Sequence, residues 1–388
     1  MNAEIIAIGT ELLLGEITDT NSAHLARAMR DMGLDLWWIT VVGDNESRIA
    51  EAIRRACERS NIVITTGGLG PTVDDPTRAA VARAFGVPLE FRPTLWAQIE
   101  ARFQRYGRAP TENNRKQAYV PEGAVEFENP VGTAPCFAVP YPGGVVISLP
   151  GVPREFEYML EHTVEPYLRA NFDLSSIIRA RVLRTVGIGE SLIDARIGDL
   201  EELSNPTVGL AAHPGQTDIR LTAKAATVAE ADAMLDPLAA DVRRRLGEFI
   251  YAEGKTEVEE VTARLLAAAG QTVAVAEAGT GSDVAKRLGR TPEAGQVLRA
   301  TMAVDTPPDD IGALASAARE TAGAAADWGL GVMVDLASDP PRLKVALAGA
   351  SGVTQETFGF GGHPGLAVRW VGTAALNMLR LALMRKKS

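Results

Sequence analysis

The sequence predicts an α/β protein: a doubly wound first domain, a small α+β module and a second α/β domain. Three observations carry this. Over the first 170 residues short apolar runs alternate with amphipathic helices, the pattern of parallel strands joined by crossover helices. From about Ser175, Arg179–Thr185 and Thr217–Ala225 alternate apolar and polar residues like half-exposed strands. From about residue 256 the strand–helix alternation returns in a stretch rich in Ala and Gly. The predicted domains are 1–170, 174–252 and 256–388, with AEGKTE as a linker. At 388 residues the chain is long enough for a core in each.

Taken in order, Glu4–Ile8 is the first strand, leaving through Gly9-Thr10-Glu11. Asn21-Ser22 supply N-cap residue types for a helix over Ala23–Met32, closed by Gly33. Leu36–Val42 is the second strand, leaving through Gly43-Asp44-Asn45 into a helix over Ser47–Arg59. Then comes NIVITTGGLGPTVDDPT, residues 61–77, on which the rest is organised. Ile62–Ile64 is a fully buried strand ended by Thr65 and Thr66, followed by Gly67, Gly68 and Gly70, two adjacent carboxylates and a helix to Gly86. Pro93–Tyr106 is helical and Pro110–Gln117 is polar. Val145–Leu149 is a buried strand, and Pro150–Pro153 turns into a helix over Arg154–Leu168. The middle module adds helices over Glu190–Leu203 and Val228–Leu246. The last third reads as helix Val258–Ala269, strand Gln271–Glu277 and the turn GTGSDVAKRLG into a helix. It continues with helix Leu314–Ala326, strands Gly331–Leu336 and Lys344–Ala348, and helix Ala367–Met384.

A doubly wound sheet binds ligands at its strands' carboxyl ends. Thr10-Glu11, Asp44 and Gly67–Asp75 all fall on that edge. Glycines between a strand and a helix N-terminus let backbone N–H groups approach an anion. TGGLGPT is neither a P-loop nor a dinucleotide-binding fingerprint, and alone it is also compatible with a plain tight βα connection. Asp74 and Asp75 tip the balance. Beside a phosphate cradle such carboxylates hold a hard divalent cation, which suits diphosphate hydrolysis, although a pair at a helix start also complements the macrodipole. Asp44 is a second ligand or a base for water, or else an Asx-turn residue capping the next helix. Asn113, Asn114 and Lys116 are candidates for ribose or phosphate contacts. Glu155 is an early-helix acid or a ribose or metal contact.

Composition excludes several classes. The net charge of −10 argues against a broad nucleic-acid-binding face. The 2 cysteines, Cys57 and Cys136, give no disulfide framework or metal-ligand spacing, and the 4 histidines are scattered. The N-terminus has no secretory signal pattern, no uninterrupted apolar run reaches membrane-span length, and the most apolar helix, Val371–Met384, ends in RKKS. A cytoplasmic protein without a membrane partner is expected.

ITTGGLGPTVDDPT, with AIGTELLLGEITDTNSAHLA, VVGDNESRI, NNRKQAYVPEGA, NPVGTAP and LPGVPREF, resembles the CinA family of competence/damage-inducible proteins in order across the first 170 residues. The resemblance implies the molybdopterin-binding-like fold of MogA and MoeA, with Asp44 and Asp75 at the two site aspartates. It also implies metal-dependent hydrolysis of ADP-ribose to AMP and ribose 5-phosphate. On that basis the expected site is Asp44 and Asp75 as catalytic groups, with Mg, Mn, Co or Ni held by Asp75, Asp74 and Asp44. Thr10, Glu11, Thr66, Gly67, Gly68, Gly70, Asn114, Lys116 and Glu155 would hold the substrate. Cys136 stands where the family usually has Gly.

The middle segment resembles the family's KH-type domain, yet VGIGE, residues 186–190, has the wrong spacing for an RNA-clamping GXXG loop. His213 reads as a turn histidine before Pro. The last domain resembles an NMN deamidase whose hallmark, AESCTGG, is AEAGTGS here. Ala278 occupies the nucleophile position, and a methyl group cannot attack an amide. Val304 lies near the family's tyrosine position, VDLASDP replaces its ITGIAGP turn, and His363 lies near its PGDR arginine. Thr280 and Ser282 are off the required position and read as helix caps. The expectation is therefore a pyrophosphatase with a silent deamidase-like domain, and by family resemblance a homodimer. NMN deamidation and a non-catalytic nucleotide- or pterin-binding role are the competing readings.

Overall fold

A computed structural model describes residues 1–388 except 106, 307, 322–325, 339–340 and 386–388. The expected helix end at Tyr106, part of the helix expected to Ala326, the last two residues of VDLASDP and the terminal Lys386, Lys387 and Ser388 fall outside the described residues. The chain divides into two compact units, residues 1–178 with 224–231 and residues 179–223 with 232–388.

In the first unit, β1 (Asn2–Ile8), β2 (Asp35–Val42), β3 (Ile62–Thr66), β4 (Val125–Phe127), β5 (Cys136–Tyr141) and β6 (Gly144–Leu149) form a sheet in the order β2-β1-β3-β6-β5-β4. β2, β1, β3 and β6 are parallel, and β5 and β4 are antiparallel additions. The helices are α1 (Thr20–Asp31), α2 (Glu46–Cys57), α3 (Thr77–Phe85), α4 (Pro93–Arg105) and α5 (Pro153–Met159). Successive strand residues face opposite layers. Ile5, Ile64 and Ile147 pack with Leu25, Met29 and Phe156, whereas Ile6, Val63 and Val146 pack with Ile49, Ile53 and Val81. Burial on both faces explains the continuous apolar runs. From β1 the chain moves to β2 on one side and then to β3 on the other, which opens a crevice at the carboxyl ends of β1 and β3.

Several boundaries differ from expectation for local reasons. Asp19, not Asn21-Ser22, caps α1, accepting the Ser22 N–H at 2.9 Å. Asn45 caps α2 through the Arg48 N–H at 3.1 Å, which excludes Asp44 from that role. Thr65 and Thr66 lie inside β3, and Thr10–Leu13 makes a helical turn. The helix expected over Arg154–Leu168 is α5, a π turn over Leu160–Val164 and a helix over Glu165–Asn171. Pro166, lacking an N–H and crowding the preceding turn, accounts for that widening. β2 lies at the sheet edge and turns Trp37 and Trp38 outward, 66% and 49% exposed.

The second unit has two sheets. β7 (Ile177–Val186), β8 (Thr207–His213), β9 (Gln216–Ala225) and β10 (Ile250–Glu253) run in the order β8-β9-β7-β10, with α6 (Glu190–Glu201) and α7 (Val228–Leu246). His213 ends β8 opposite Gln216, so Pro214-Gly215 is the hairpin turn. After α8 (Val258–Ala269) come β11 (Val273–Ala278), α9 (Asp283–Gly289), β12 (Leu298–Val304), α10 (Ile311–Thr321), β13 (Trp328–Asp335), β14 (Arg342–Gly349), β15 (Gly352–Gly359) and α11 (Ala367–Arg385). The C-terminal sheet order is β12-β11-β13-β14-β15, parallel across the first three strands. The segment Pro364–Arg385 is long and apolar enough to cross a membrane, yet Val371, Leu376 and Leu379 within it are wholly buried in the core of this sheet.

Candidate functional site

The turn after β3 is shaped by close approach. Gly67 and Gly68 have φ of +105° and +64°, and a Cβ on Gly67 would stand 2.1 Å from the Ile8 carbonyl oxygen. Only glycine fits there. Three successive carbonyls of this turn are held by the start of α3. Thr77 Oγ1 donates to Gly67 O at 2.9 Å, the Thr77 N–H to Gly68 O at 3.2 Å, and Arg78 Nη1 to Leu69 O at 2.8 Å. In a planar trans peptide the next N–H points opposite to the carbonyl. The N–H groups of Gly68, Leu69 and Gly70 are thus turned away from those partners, and none has an acceptor among the described residues. Free N–H groups on successive residues of a turn are what an anion cradle requires.

Arg78 is the group that sequence reasoning missed. It is 5% exposed, its Nη2 reaches Pro135 O at 3.4 Å, and its Nε has no partner. Burial pushes the guanidinium down from its ordinary value to about 10, only partly opposed by Cys136 and Asp75, so it stays charged at neutral pH. It bears no direct salt bridge among the described residues. Its only sequence signal was an arginine directly after the helix-starting Thr77.

Asp74 and Asp75 belong to this turn, and Asp44 stands at the exit of β2. Asp75 Oδ2 accepts from Thr72 N–H at 2.8 Å and from the Thr72 hydroxyl, and its carboxylate lies over Gly70, where a Cβ would come within 2.4 Å. Asp74 is exposed. Asp44 Oδ2 accepts from the Thr10 N–H at 2.8 Å. Glu11 folds over Gly9 and shares a hollow of about 260 Å³ with Thr66, Gly67 and Asn21. Asn21, freed from capping, donates to Thr66 Oγ1 at 3.0 Å and to Gly151 O at 2.9 Å, tying the two βα turns together.

Three expected contacts are engaged elsewhere or stand apart. Asn114 Oδ1 accepts from the Thr111 N–H and hydroxyl, both at 2.9 Å, closing a capping box. Its Nδ2 donates to Gln117, which in turn donates to Leu69 O at 3.4 Å. Asn114 therefore reaches the glycine turn only through Gln117. Glu155 accepts from Asn129 Nδ2 at 2.6 Å and covers Gly132, bracing the NPVGTAP loop. Lys116 is exposed. Cys136 sits wholly buried at the start of β5, where burial pushes its thiol well above the usual range.

Among the described residues no three His, Cys, Asp or Glu side chains form a ready-made metal cage. Asp44, Asp74 and Asp75 do not converge as one cluster.

Comparison with known proteins matches residues 4–170 to a family described as a probable molybdopterin binding domain and residues 180–252 to the damage-inducible protein CinA KH domain. A "putative competence-damage inducible protein" of Halothermothrix orenii is 42% identical over 288 residues, 74% of this chain and 69% of its own. The chain belongs to the CinA family. A CinA-like protein of Prochlorococcus marinus is 44% identical over 76% of this chain and 69% of its own. The crystal structure of CinA from Thermoplasma acidophilum is 37% identical, covering 42% of this chain and 96% of that one with a TM-score of 0.40.

In this CinA-family chain the C-terminal turn is equally well built. Ala278 ends β11 wholly buried, paired with Val304 and Met333. Glu277 lies beneath it, 3% exposed, and its carboxylate accepts from Thr280 Oγ1 at 2.6 Å, the Val284 N–H at 3.1 Å and the Ala285 N–H at 2.8 Å. Glu277 thus caps α9, the role expected of Thr280 and Ser282; Thr280 Oγ1 accepts only the Ser282 N–H, at 3.2 Å. Ser282 is N-cap by position, with φ +62° and no side-chain cap bond.

Proposed function

We propose that the first unit hydrolyses ADP-ribose to AMP and ribose 5-phosphate with a divalent cation, Mg, Mn, Co or Ni. The observation that carries this is the set of three carbonyls held by Thr77 and Arg78, which leaves the N–H groups of Gly68, Leu69 and Gly70 without acceptors. A diphosphate supplies the missing acceptors, and its charge offsets the buried Arg78 guanidinium. Asp75 and Asp74 at the glycine turn would hold the cation, with Asp44 at the β2 exit as a further ligand and water and phosphate oxygens completing its shell; it would neutralise phosphate charge and acidify a water. Asp44, with Oδ1 outside its bond to Thr10, takes the proton as water attacks phosphorus and the bridging P–O bond breaks. Thr10, Glu11 and Thr66 orient the substrate from the β1 and β3 exits, and Lys116 meets phosphate from the rim. Asn114 and Glu155 act at one remove, by holding Gln117 and the NPVGTAP loop. The C-terminal domain has no NMN deamidase activity, because Ala278 has no nucleophile. The same reading takes the protein as a cytoplasmic homodimer acting on a small nucleotide, without nucleic-acid or membrane partners.

The test incubates purified protein with ADP-ribose and each metal and follows AMP, alongside Asp75→Ala. Metal-dependent AMP that disappears in the variant supports the assignment. No AMP with any metal, or equal rates in the variant, leaves a non-catalytic nucleotide- or pterin-binding role.

A further inference from the structure

A hollow of about 600 Å³ within the second unit lies far in sequence from the glycine turn of β3. Its walls are the VGIGE turn between β7 and α6, the tip of the β8–β9 hairpin, β15 and α11. That volume suits a small organic molecule.

Two side-chain amides in its lining have their oxygen ends held by arginines. Gln216 is 7% exposed; its Oε1 accepts from Arg184 Nη2 at 3.4 Å, and its Nε2 is buried without an acceptor among the described residues. Leaving such a donor unsatisfied is unfavourable, and an acceptor brought against it would relieve that. Asn377 is 9% exposed, and its Oδ1 accepts from Arg380 Nε at 3.0 Å and Nη2 at 2.8 Å. Arginine only donates, so these contacts settle which end of each amide is oxygen. The Asn377 NH₂ end then faces Gly187, where a Cβ would come within 2.7 Å of Nδ2.

Aromatic faces supply the remaining recognition. Phe358 and Trp370 line the hollow edge to face, with centroids 5.0 Å apart, and Phe249 lines it as well. Rings of this kind hold flat π-systems. Its exposed charged lining residues, Glu190 and Glu356, are both acidic, and His213 is paired to Asp218 at 3.3 Å. Such a rim disfavours phosphate.

We propose that this hollow binds an uncharged, planar heteroaromatic ring carrying carbonyl or ring-nitrogen acceptors, a nucleobase or its nucleoside, in preference to the corresponding nucleotide. Gln216 and Asn377 donate to the ring edge, and the aromatic side chains cover its faces. This assignment is independent of the pyrophosphatase reading.

The experiment titrates the full chain calorimetrically with adenosine, guanosine, cytidine and uridine, and with their 5′-monophosphates. It is run in a saturating excess of inorganic pyrophosphate, without added metal, so that the anion site of the first unit is already occupied. The expected result is one site per chain for at least one nucleoside, with its monophosphate about 10-fold weaker. Gln216→Leu should weaken binding by about 10-fold while its Tm is unchanged or higher, since an unsatisfied donor is removed. Gly187→Ala, which crowds Asn377, is the second variant and should also weaken binding. No nucleoside binding up to about 5 mM, a monophosphate that binds as tightly, or binding indifferent to both variants each overturns the proposal.

Discussion

Thr10 and Asp44 exchange hydrogen bonds: the Thr10 N–H donates to Asp44 Oδ2 at 2.8 Å, and the Asp44 N–H donates to Thr10 Oγ1 at 3.1 Å. The exits of β1 and β2 are locked together by this exchange, although 34 residues separate the partners. Asp44→Asn keeps an oxygen for the Thr10 N–H and removes the charge. AMP release should fall by about 10²–10⁴-fold with little change in Tm. An unchanged rate would remove Asp44 from the chemistry.

Gly70→Ala puts a methyl group against the Asp75 carboxylate, within 2.4 Å, without requiring a left-handed backbone. The side chain of Asp75 must swing away. The expected outcome is a large loss of kcat with a Tm change of only a few degrees. Gly67→Ala, by contrast, meets the Ile8 carbonyl at 2.1 Å at φ +105° and should lower stability by more than about 1 kcal/mol. Paired chemical denaturation and AMP assays separate the two.

Arg78 has a folded pKa of about 10, below its ordinary value. At neutral pH both folded and unfolded chains carry the charge, and the folded state holds it at a cost on the order of 3 kcal/mol. This group adds stability only as pH rises through about 10 toward the ordinary arginine value, the reverse of a salt-bridged arginine. An anion in the cradle should relieve the cost. Inorganic pyrophosphate is therefore expected to raise the Tm of the wild type, and Arg78→Met to lose most of that rise. Equal shifts in both proteins would show that the buried charge does not sense the anion.

Glu277 accepts three hydrogen bonds beneath the turn that follows Ala278. Glu277→Ala leaves the Val284 and Ala285 N–H groups unsatisfied and should cost about 2–4 kcal/mol, measured by denaturant unfolding. Ammonia release from NMN should be absent in the wild type and remain absent in the variant. Release by the wild type would show a nucleophile other than residue 278.

The alternation of buried strands and helices was legible because parallel strands covered on both faces need unbroken apolar runs, as Ile62–Ile64 shows. β15 escaped because GVTQETFG is exposed along almost its whole length and carries no alternation to read. The glycine turn and its aspartates could be placed on one sheet edge from order alone. Their partners could not. Whether Asp44 caps α2 or pairs with Thr10 depends on a contact across 34 residues, and Asn45 next door offers the same capping chemistry. Asn114 and Glu155 looked available because polar residues in a loop do not announce that Thr111 and Asn129 already hold them. Arg78 was hidden for the opposite reason: a helix arginine is ordinarily solvated, and only packing reveals it as buried.

Gly279 stands to Val334 as Gly67 stands to Ile8: in each, an added Cβ would lie 2.1 Å from the neighbouring strand's carbonyl oxygen. In the second sheet that clearance is demanded by the backbone, whatever residue precedes it. Each glycine is therefore a spacer between two strands, and a bulkier residue at either place would have to part the strand ends before the turn could close.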